Sequence, residues 1–287
     1  MNKNTGIILE GGAMRSIFTA GILDYYLDNN IEIPNVLAVS AGAYAGMNYV
    51  SGQKGRILDA IVKPLETKKL LGLSVFLKTH DFFNMDLLFN RIPKVECPFD
   101  FESFVNSGKK FITSTINCMT GEAIYYDHFE SLDDFLQICR NANSLPILAR
   151  VGHYKGVPMM DGGMADAIPI SKALELGWEK IVVIFTREAS YRKTPRGDVY
   201  DNWYTKLFYR KYPGLLHAID VRPDVYNGSI EKVHELEKEG KVFVYRPPDD
   251  VILTNNETNP DTLRNYYKIG YELAKDKHQK LMEFLNA

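Results

Sequence analysis

Three short stretches carry residue types able to do chemistry together: Glu10-Gly-Gly-Ala-Met-Arg-Ser16, Val39-Ser-Ala-Gly42 and Asp161-Gly-Gly163. Ser40 stands at the joint between an apolar run, Val36 to Val39, and the small residues Ala41 to Gly46, which read as the first turns of a helix. A serine on a sharp strand-to-helix turn has its hydroxyl held off the sheet and beside the free N–H groups of the helix, the position of a nucleophile. Ala38 occupies the place of the first glycine in a G-x-S-x-G pattern. A serine that merely caps a helix fits this stretch equally well.

A serine hydroxyl needs a base to attack at neutral pH. The histidines are His80, His128, His153, His217, His234 and His278. In a Ser…Asp…His order, Asp161 is followed by His217, His234 or His278; only His217 falls in a loop-like setting, and it has no local signature. A direct Ser40–Asp161 pair needs fewer assumptions. The aspartate takes the hydroxyl proton as Ser40 attacks a carbonyl, the Gly11-Gly12 backbone donates to the oxyanion, and the same aspartate activates the water that releases the acyl group. The residues Asp161-Gly-Gly163 would also build a simple Asx turn.

The glycine pair Gly11-Gly12 follows the apolar run Gly6 to Leu9 and precedes a helical pattern through Ile17, Ala20, Leu23 and Leu27. Successive N–H groups in such a turn can converge on an anion. The loop lacks the third glycine of a dinucleotide fingerprint and the Gly-Lys-Ser/Thr of a nucleotide-triphosphate loop. Arg15 either holds an anionic group or fixes the loop by a salt bridge, and the second role is the expectation.

The elements that must position these residues read as a βαβ unit, Gly6–Leu9, helix, Val36–Val39, with both loops at the carboxyl edge of a parallel sheet. Lys110–Cys118 reads as a strand with Ala123–Tyr126 as its hairpin, Leu132–Arg140 as a helix, Lys180–Phe185 as a buried parallel strand, Ile230–Glu239 as a helix and Lys241–Tyr245 as a last strand before a helical tail from Pro260. Residues 52–110 read as helices covering the sheet, with a mobile cover lined for acyl chains as the other reading. From Arg187 to Tyr212, Arg and Lys interleave with Tyr, Trp and Phe, which reads as an amphipathic helix packing its aromatic face, with contact to an anionic membrane as the second reading.

Across 287 residues, 34 Lys+Arg oppose 36 Asp+Glu, and a formal net charge of -2 calls for no nucleic-acid partner. Cys97, Cys118 and Cys139 are far apart and lack metal-ligand spacing, so neither metal nor cofactor is expected and the compartment reads as reducing. No signal peptide and no membrane-span-length apolar run is legible. A cytoplasmic protein is therefore expected, with peripheral contact at the inner membrane face as an additional expectation.

Taken together, Leu9-Glu-Gly-Gly-Ala-Met-Arg-Ser16, Val39-Ser-Ala-Gly42, Ser144-Leu-Pro146 and Asp161-Gly-Gly163, in this order over about Gly6 to Phe185, resemble the patatin-like phospholipase family, in its bacterial predicted-esterase form. The resemblance implies a three-layer α/β fold with a mostly parallel central sheet flanked by helices. It implies an acyl hydrolase domain over residues 1–240, with a C-terminal strand and helical extension, 241–287, packed on it. The implied activity is hydrolysis of lipid carboxylic esters of phospholipase A or lysophospholipase type, without a metal. It makes Ser40 the nucleophile, Asp161 the base, Gly11, Gly12 and Ala13 the oxyanion loop, and Arg15 the basic residue of that loop. Two other functions remain compatible: a catalytically degraded domain that binds lipid or protein, and a soluble carboxylesterase or thioesterase. The chain departs from the family pattern at Ala13, Ser16 and Ala38, each standing where a glycine is usual. Ala13 is expected to restrict an N–H that must face the oxyanion, and a lost donor costs on the order of 3 kcal/mol in the transition state.

Overall fold

The apolar runs become the middle of an eight-stranded sheet. A computed structural model describes residues 2–67, 70–194 and 200–287. Its strands are β1 (Thr5–Leu9), β2 (Asn35–Ala38), β3 (Lys110–Asn117), β4 (Ala123–Tyr126), β5 (Gly152–Tyr154), β6 (Val157–Asp161), β7 (Lys180–Ile184) and β8 (Val242–Tyr245). Their order is β5-β6-β3-β2-β1-β7-β8, with β4 also on β3. From β3 through β8 the neighbours are parallel, which requires helices on both faces. Alternation along each strand divides the core accordingly: Ile7, Leu9, Val36 and Val182 face one helical layer, and Ile8, Leu37, Ile181 and Val183 the other. This is the three-layer α/β arrangement that the sequence leads one to expect.

One register places the site. Thr113 pairs with both Ala38 and Tyr126, and Thr115 with both Asp161 and Ile124. A strand has two edges, so β2 and β6 share the edge of β3 opposite β4. β2 is parallel to β3 and β6 antiparallel, so their carboxyl ends run toward each other along that edge and stop at Ala38 and Asp161. The reversal that turns β6 around is the tight hairpin after β5, where Lys155 (φ 47°) and Gly156 (φ 83°) both take the positive φ that a two-residue turn of this twist demands.

Two helices follow the strand ends directly: α1 (Ser16–Asp28) after the glycine loop and α2 (Ala41–Val50) after Ser40. The penultimate helix, Pro260–Asp276, lies on α1. A Cβ added to Gly21 would come 2.0 Å from the Tyr267 carbonyl oxygen, and one on Gly270 2.1 Å from that of Phe18, so two glycines let the backbones touch. Tyr267 Oη then donates to Asp24 Oδ2 at 2.6 Å. The Asn259 side chain caps the helix by accepting from the N–H groups of Asp261 and Thr262.

Several expectations change in detail. The helix read over Ile230–Glu239 begins already at Pro213 and runs to Lys238, with Pro223 inside it; Pro223 and Gly228 interrupt the apolar period and hide its first half. His217 is therefore on an exposed helical surface, not in a loop. The aromatic and basic stretch divides: Tyr200, Tyr209 and Tyr212 are buried, whereas Trp203, Leu207 and Phe208 on the short helix Trp203–Phe208 are exposed. Lys68 and Lys69 of the segment 52–110, and Arg196 of the aromatic and basic stretch, lie outside the described residues. Among the described residues, no helix is long and apolar enough to cross a membrane.

Candidate active site

Ser40 has φ 54° and ψ -132°, a conformation that strains any residue with a Cβ and costs on the order of 1–3 kcal/mol. Its surroundings hold it there. Val39 N–H donates to Leu9 O at 3.0 Å, and Gly42 N–H to Val39 O at 2.9 Å. A Cβ at Gly42 would lie 2.6 Å from Leu9 O, so glycine is what lets α2 start this close to the end of β1. The strained turn brings Ser40 Oγ to 2.5 Å from Asp161 Oδ2, the short contact of a hydroxyl donating to a carboxylate.

Asp161 ends β6 and is fully buried. Its N–H donates to Ser144 O at 2.9 Å, which is the contribution of the Ser144-Leu-Pro146 stretch, and Gly163 N–H donates to its Oδ1 at 2.8 Å. Burial pushes the carboxyl up to about 6, while the Ser40 and Gly163 hydrogen bonds and the charge of Arg222 hold it back. Arg222 Nε donates to Gly163 O at 3.1 Å and so braces the turn after the carboxylate.

The glycine loop lies against Ser40: a Cβ at Gly11 would come 2.6 Å from Ser40 Cβ. Its start is anchored by the buried Glu10, whose Oε2 accepts from Thr186 N–H at 2.5 Å and whose Oε1 accepts from Tyr226 Oη at 2.7 Å. Ala13 takes φ 49°, the left-handed conformation that glycine would hold without strain. Met14 N–H donates to Asn255 O at 3.3 Å, so the C-terminal extension touches the loop. The salt bridge expected of Arg15 does not form: among the described residues its guanidinium has no carboxylate partner, and its Nε is buried without a hydrogen bond. Glu10, the nearby carboxylate, attracts Arg15 only through space and accepts its hydrogen bonds from Thr186 and Tyr226. Burial, and then the neighbouring Arg187, lower the Arg15 pKa.

Two cavities of opposite character meet at Ser40. One, with about 710 Å³ of empty space, is walled by Ile17, Ile57, Ile61, Leu70, Phe83, Met85, Leu88 and Phe89. The segment 52–110 thus both covers the sheet and supplies one wall of an apolar pocket. The other, with about 1220 Å³, holds Asp161, Gly11, Gly12 and a set of cationic side chains. Ala13, Ser40 and Leu145 border both, and no histidine borders either.

The patatin-like phospholipase model matches residues 7–174, more than half of the chain. The chain belongs to this family. A second model, a domain of unknown function (DUF6363), matches residues 212–286. The uncharacterized protein YjjU of Escherichia coli is 22% identical over 277 residues, covering 92% of this chain and 74% of that protein. The lysophospholipases NTE1 of Scheffersomyces stipitis and Candida albicans are 24% and 22% identical, covering 95% and 96% of this chain. The chain spans only 18% and 20% of their length. Crystalline VipD of Legionella pneumophila is similar at a TM-score of 0.47 and 13% identity, over 99% of this chain and 67% of that one.

Within this patatin-like chain, the sequence singled out Ser40, Asp161, Gly11, Gly12, Ala13 and Arg15, and all six border the polar cleft. Arg222, Tyr226 and Thr186 were missed. Arg222 and Tyr226 lie in the concealed half of the long helix, and Thr186 follows β7 with no pattern of its own. A hydroxyl hydrogen-bonded to a buried carboxylate, beside a loop of glycines and an apolar pocket, is an arrangement suited to acyl transfer.

Proposed function

We propose that this patatin-like protein is a serine acyl hydrolase cleaving carboxylic ester bonds of lipids, as a phospholipase A or lysophospholipase-type enzyme. The observation that carries the reading is the 2.5 Å contact of Ser40 Oγ with the buried Asp161, at the border of an apolar pocket. Ser40 Oγ attacks the ester carbonyl while its proton passes to Asp161. The N–H groups of Gly11, Gly12 and Ala13 face the oxyanion. Collapse of the tetrahedral intermediate breaks the bond to the alcohol, which takes the proton from Asp161. Water, deprotonated by Asp161, then releases the fatty acid and returns the proton to Ser40. The acyl chain occupies the apolar cavity, and the likeness to two lysophospholipases supports a lipid substrate. Residues 1–240 form the hydrolase unit in this reading, and 241–287 an extension that steadies α1 and the glycine loop.

The test is hydrolysis of short and long acyl esters by the wild type and Ser40→Ala, each verified as folded. Turnover by the wild type with only background in Ser40→Ala supports the reading; a folded wild type inert on lipid and soluble esters overturns it in favour of a binding module.

The pH dependence follows from the base. Asp161 must be ionised to accept the proton, so kcat/KM rises with pH through about 6 and levels off above it. A profile flat from pH 5 to 8 would remove Asp161 from this role.

Exposed Trp203, Leu207 and Phe208, beside exposed Arg210 and Lys211, suit peripheral contact with an anionic membrane. Sedimentation with phosphatidylglycerol vesicles is expected to fall several-fold in the Trp203→Ser, Phe208→Ser double variant; unchanged sedimentation would remove this surface from membrane contact.

A further inference from the structure

The polar cleft that borders Ser40 is lined by five cationic side chains, Arg15, Arg187, Arg192, Lys193 and Arg222. Two carboxylates line it with them, and both are engaged: Asp161 by Ser40 and Gly163, Glu10 by Thr186 and Tyr226. Arg192 is paired at 3.0 Å with Glu231. Arg15 and Arg187 are different. Among the described residues, neither guanidinium forms an ion pair or a hydrogen bond, although Arg15 is half-buried and its Nε is wholly shielded from solvent. Glu10 offsets part of the Arg15 charge through space, but Arg15 and Arg187 lie close enough to repel each other, and bringing two like charges together away from water is costly.

Aromatic rings hold the outer cations in place. Arg187 lies over the Tyr191 ring at 4.1 Å from its centroid; Lys193, over Tyr226 at 4.9 Å, has a further partner of its own. A ring face orients a cation without cancelling its charge. Two carboxylates against five cations leave this cleft with an excess of positive charge, which an anionic ligand would offset. Planar guanidiniums match the oxygens of a phosphate with paired hydrogen bonds, and the cleft borders the oxyanion loop, where the alcohol part of an ester leaves.

Resting on the acyl-hydrolase reading, we propose that Arg187, with Arg15 beside it, forms a phosphate subsite, and that Arg187 makes the enzyme select acyl esters whose headgroup is net negative. A glycerophosphate monoacyl ester satisfies both guanidiniums. A phosphocholine ester carries a phosphodiester, with one ionisable oxygen fewer, and brings a quaternary ammonium into a cleft of like charge. A monoacylglycerol brings no counter-charge at all. The order of preference is anionic, then zwitterionic, then neutral.

The test compares kcat/KM for these three esters, at one acyl chain length, in the wild type, Arg187→Gln and Arg187→Lys. It adds calorimetric binding of glycerol 3-phosphate and of inorganic phosphate to the wild type and Arg187→Gln. The wild type is expected to favour the glycerophosphate ester over the neutral one by about tenfold or more, the worth of a charge-assisted hydrogen bond. Arg187→Gln loses most of that ratio through KM, and Arg187→Lys keeps part of it. Glycerol 3-phosphate binds more tightly than inorganic phosphate, and both weaken in Arg187→Gln. Equal kcat/KM for the three esters, or an equal loss on all three in Arg187→Gln, overturns the selectivity while the hydrolase reading stands. Inorganic phosphate binding as tightly as glycerol 3-phosphate makes this a site for the free anion and overturns the substrate assignment. Failure to turn over any ester is instead the failure of the hydrolase reading, and the binding arm then decides the subsite by itself.

Discussion

Asp161→Asn is expected to lower ester hydrolysis by on the order of 10³–10⁴-fold and, at neutral pH, to make the protein more stable. The loss follows from hydrogen-bond polarity. Gly163 N–H points at Oδ1 from 2.8 Å, so the new amide keeps its oxygen there and turns its NH₂ toward Ser40, where it donates and cannot take a proton. The gain follows from linkage. The Asp161 carboxyl titrates near 6 in the folded state and at 3.8 ordinarily, so the folded protein binds the proton more tightly than the unfolded chain. Stability therefore falls as pH rises from about 4 to about 6, by roughly 3 kcal/mol in all, and stays lost above that. The neutral amide escapes this loss but gives up the charged hydrogen bond from Ser40, which leaves a net gain of about 1–2 kcal/mol. Thermal denaturation at pH 8 reads it as a rise of a few degrees that disappears at pH 4. An inactive variant that is less stable at pH 8 would contradict this account of the carboxylate.

Gly21→Ala is expected to destabilise the fold by on the order of 3 kcal/mol, although the change adds one methyl to a helix that alanine would otherwise favour. The new Cβ would lie 2.0 Å from Tyr267 O and 2.9 Å from Tyr271 N, both backbone atoms, so α1 and the helix Pro260–Asp276 must part. Parting them loosens the Phe18–Tyr266 and Tyr25–Tyr271 ring contacts and the Tyr267–Asp24 hydrogen bond. Gly228→Ala is the control, because nothing lies within 4 Å of its added Cβ. Denaturant midpoints check the pair: a Gly21→Ala cost no larger than that of Gly228→Ala would contradict the close helix contact. Since α1 follows directly on the glycine loop, Gly21→Ala also lowers activity.

What the sequence disclosed and what it hid differ in physical kind. β1, β2 and β7 are apolar on both faces, and a run of that sort has few destinations other than the middle of a covered parallel sheet. Ser40 and Gly11-Gly12 were legible because strand, sharp turn and helix follow each other locally. The way Asp161 reaches Ser40 was not, since it depends on β6 running opposite to β2 along one edge of β3, a matter of register between segments 121 residues apart. The long helix was half hidden because Pro223 and Gly228 look like breaks; tertiary packing overrides them, and Arg222 and Tyr226 went unseen with it. Arg15 reads from the sequence as a loop brace by a salt bridge, and that the nearby Glu10 hydrogen-bonds Thr186 and Tyr226 instead could not be foreseen from adjacent residues.

The most direct measurement is covalent labelling with a long-chain alkyl fluorophosphonate, followed by mass spectrometry of the digested protein. The phosphonyl group resembles the tetrahedral intermediate, and attack on it requires an activated serine, a base and an oxyanion site at once. The account predicts one equivalent of label on Ser40, none in Ser40→Ala, and labelling at least a hundredfold slower in Asp161→Asn. Stoichiometric label on another residue, or no label on the folded wild type, would contradict it.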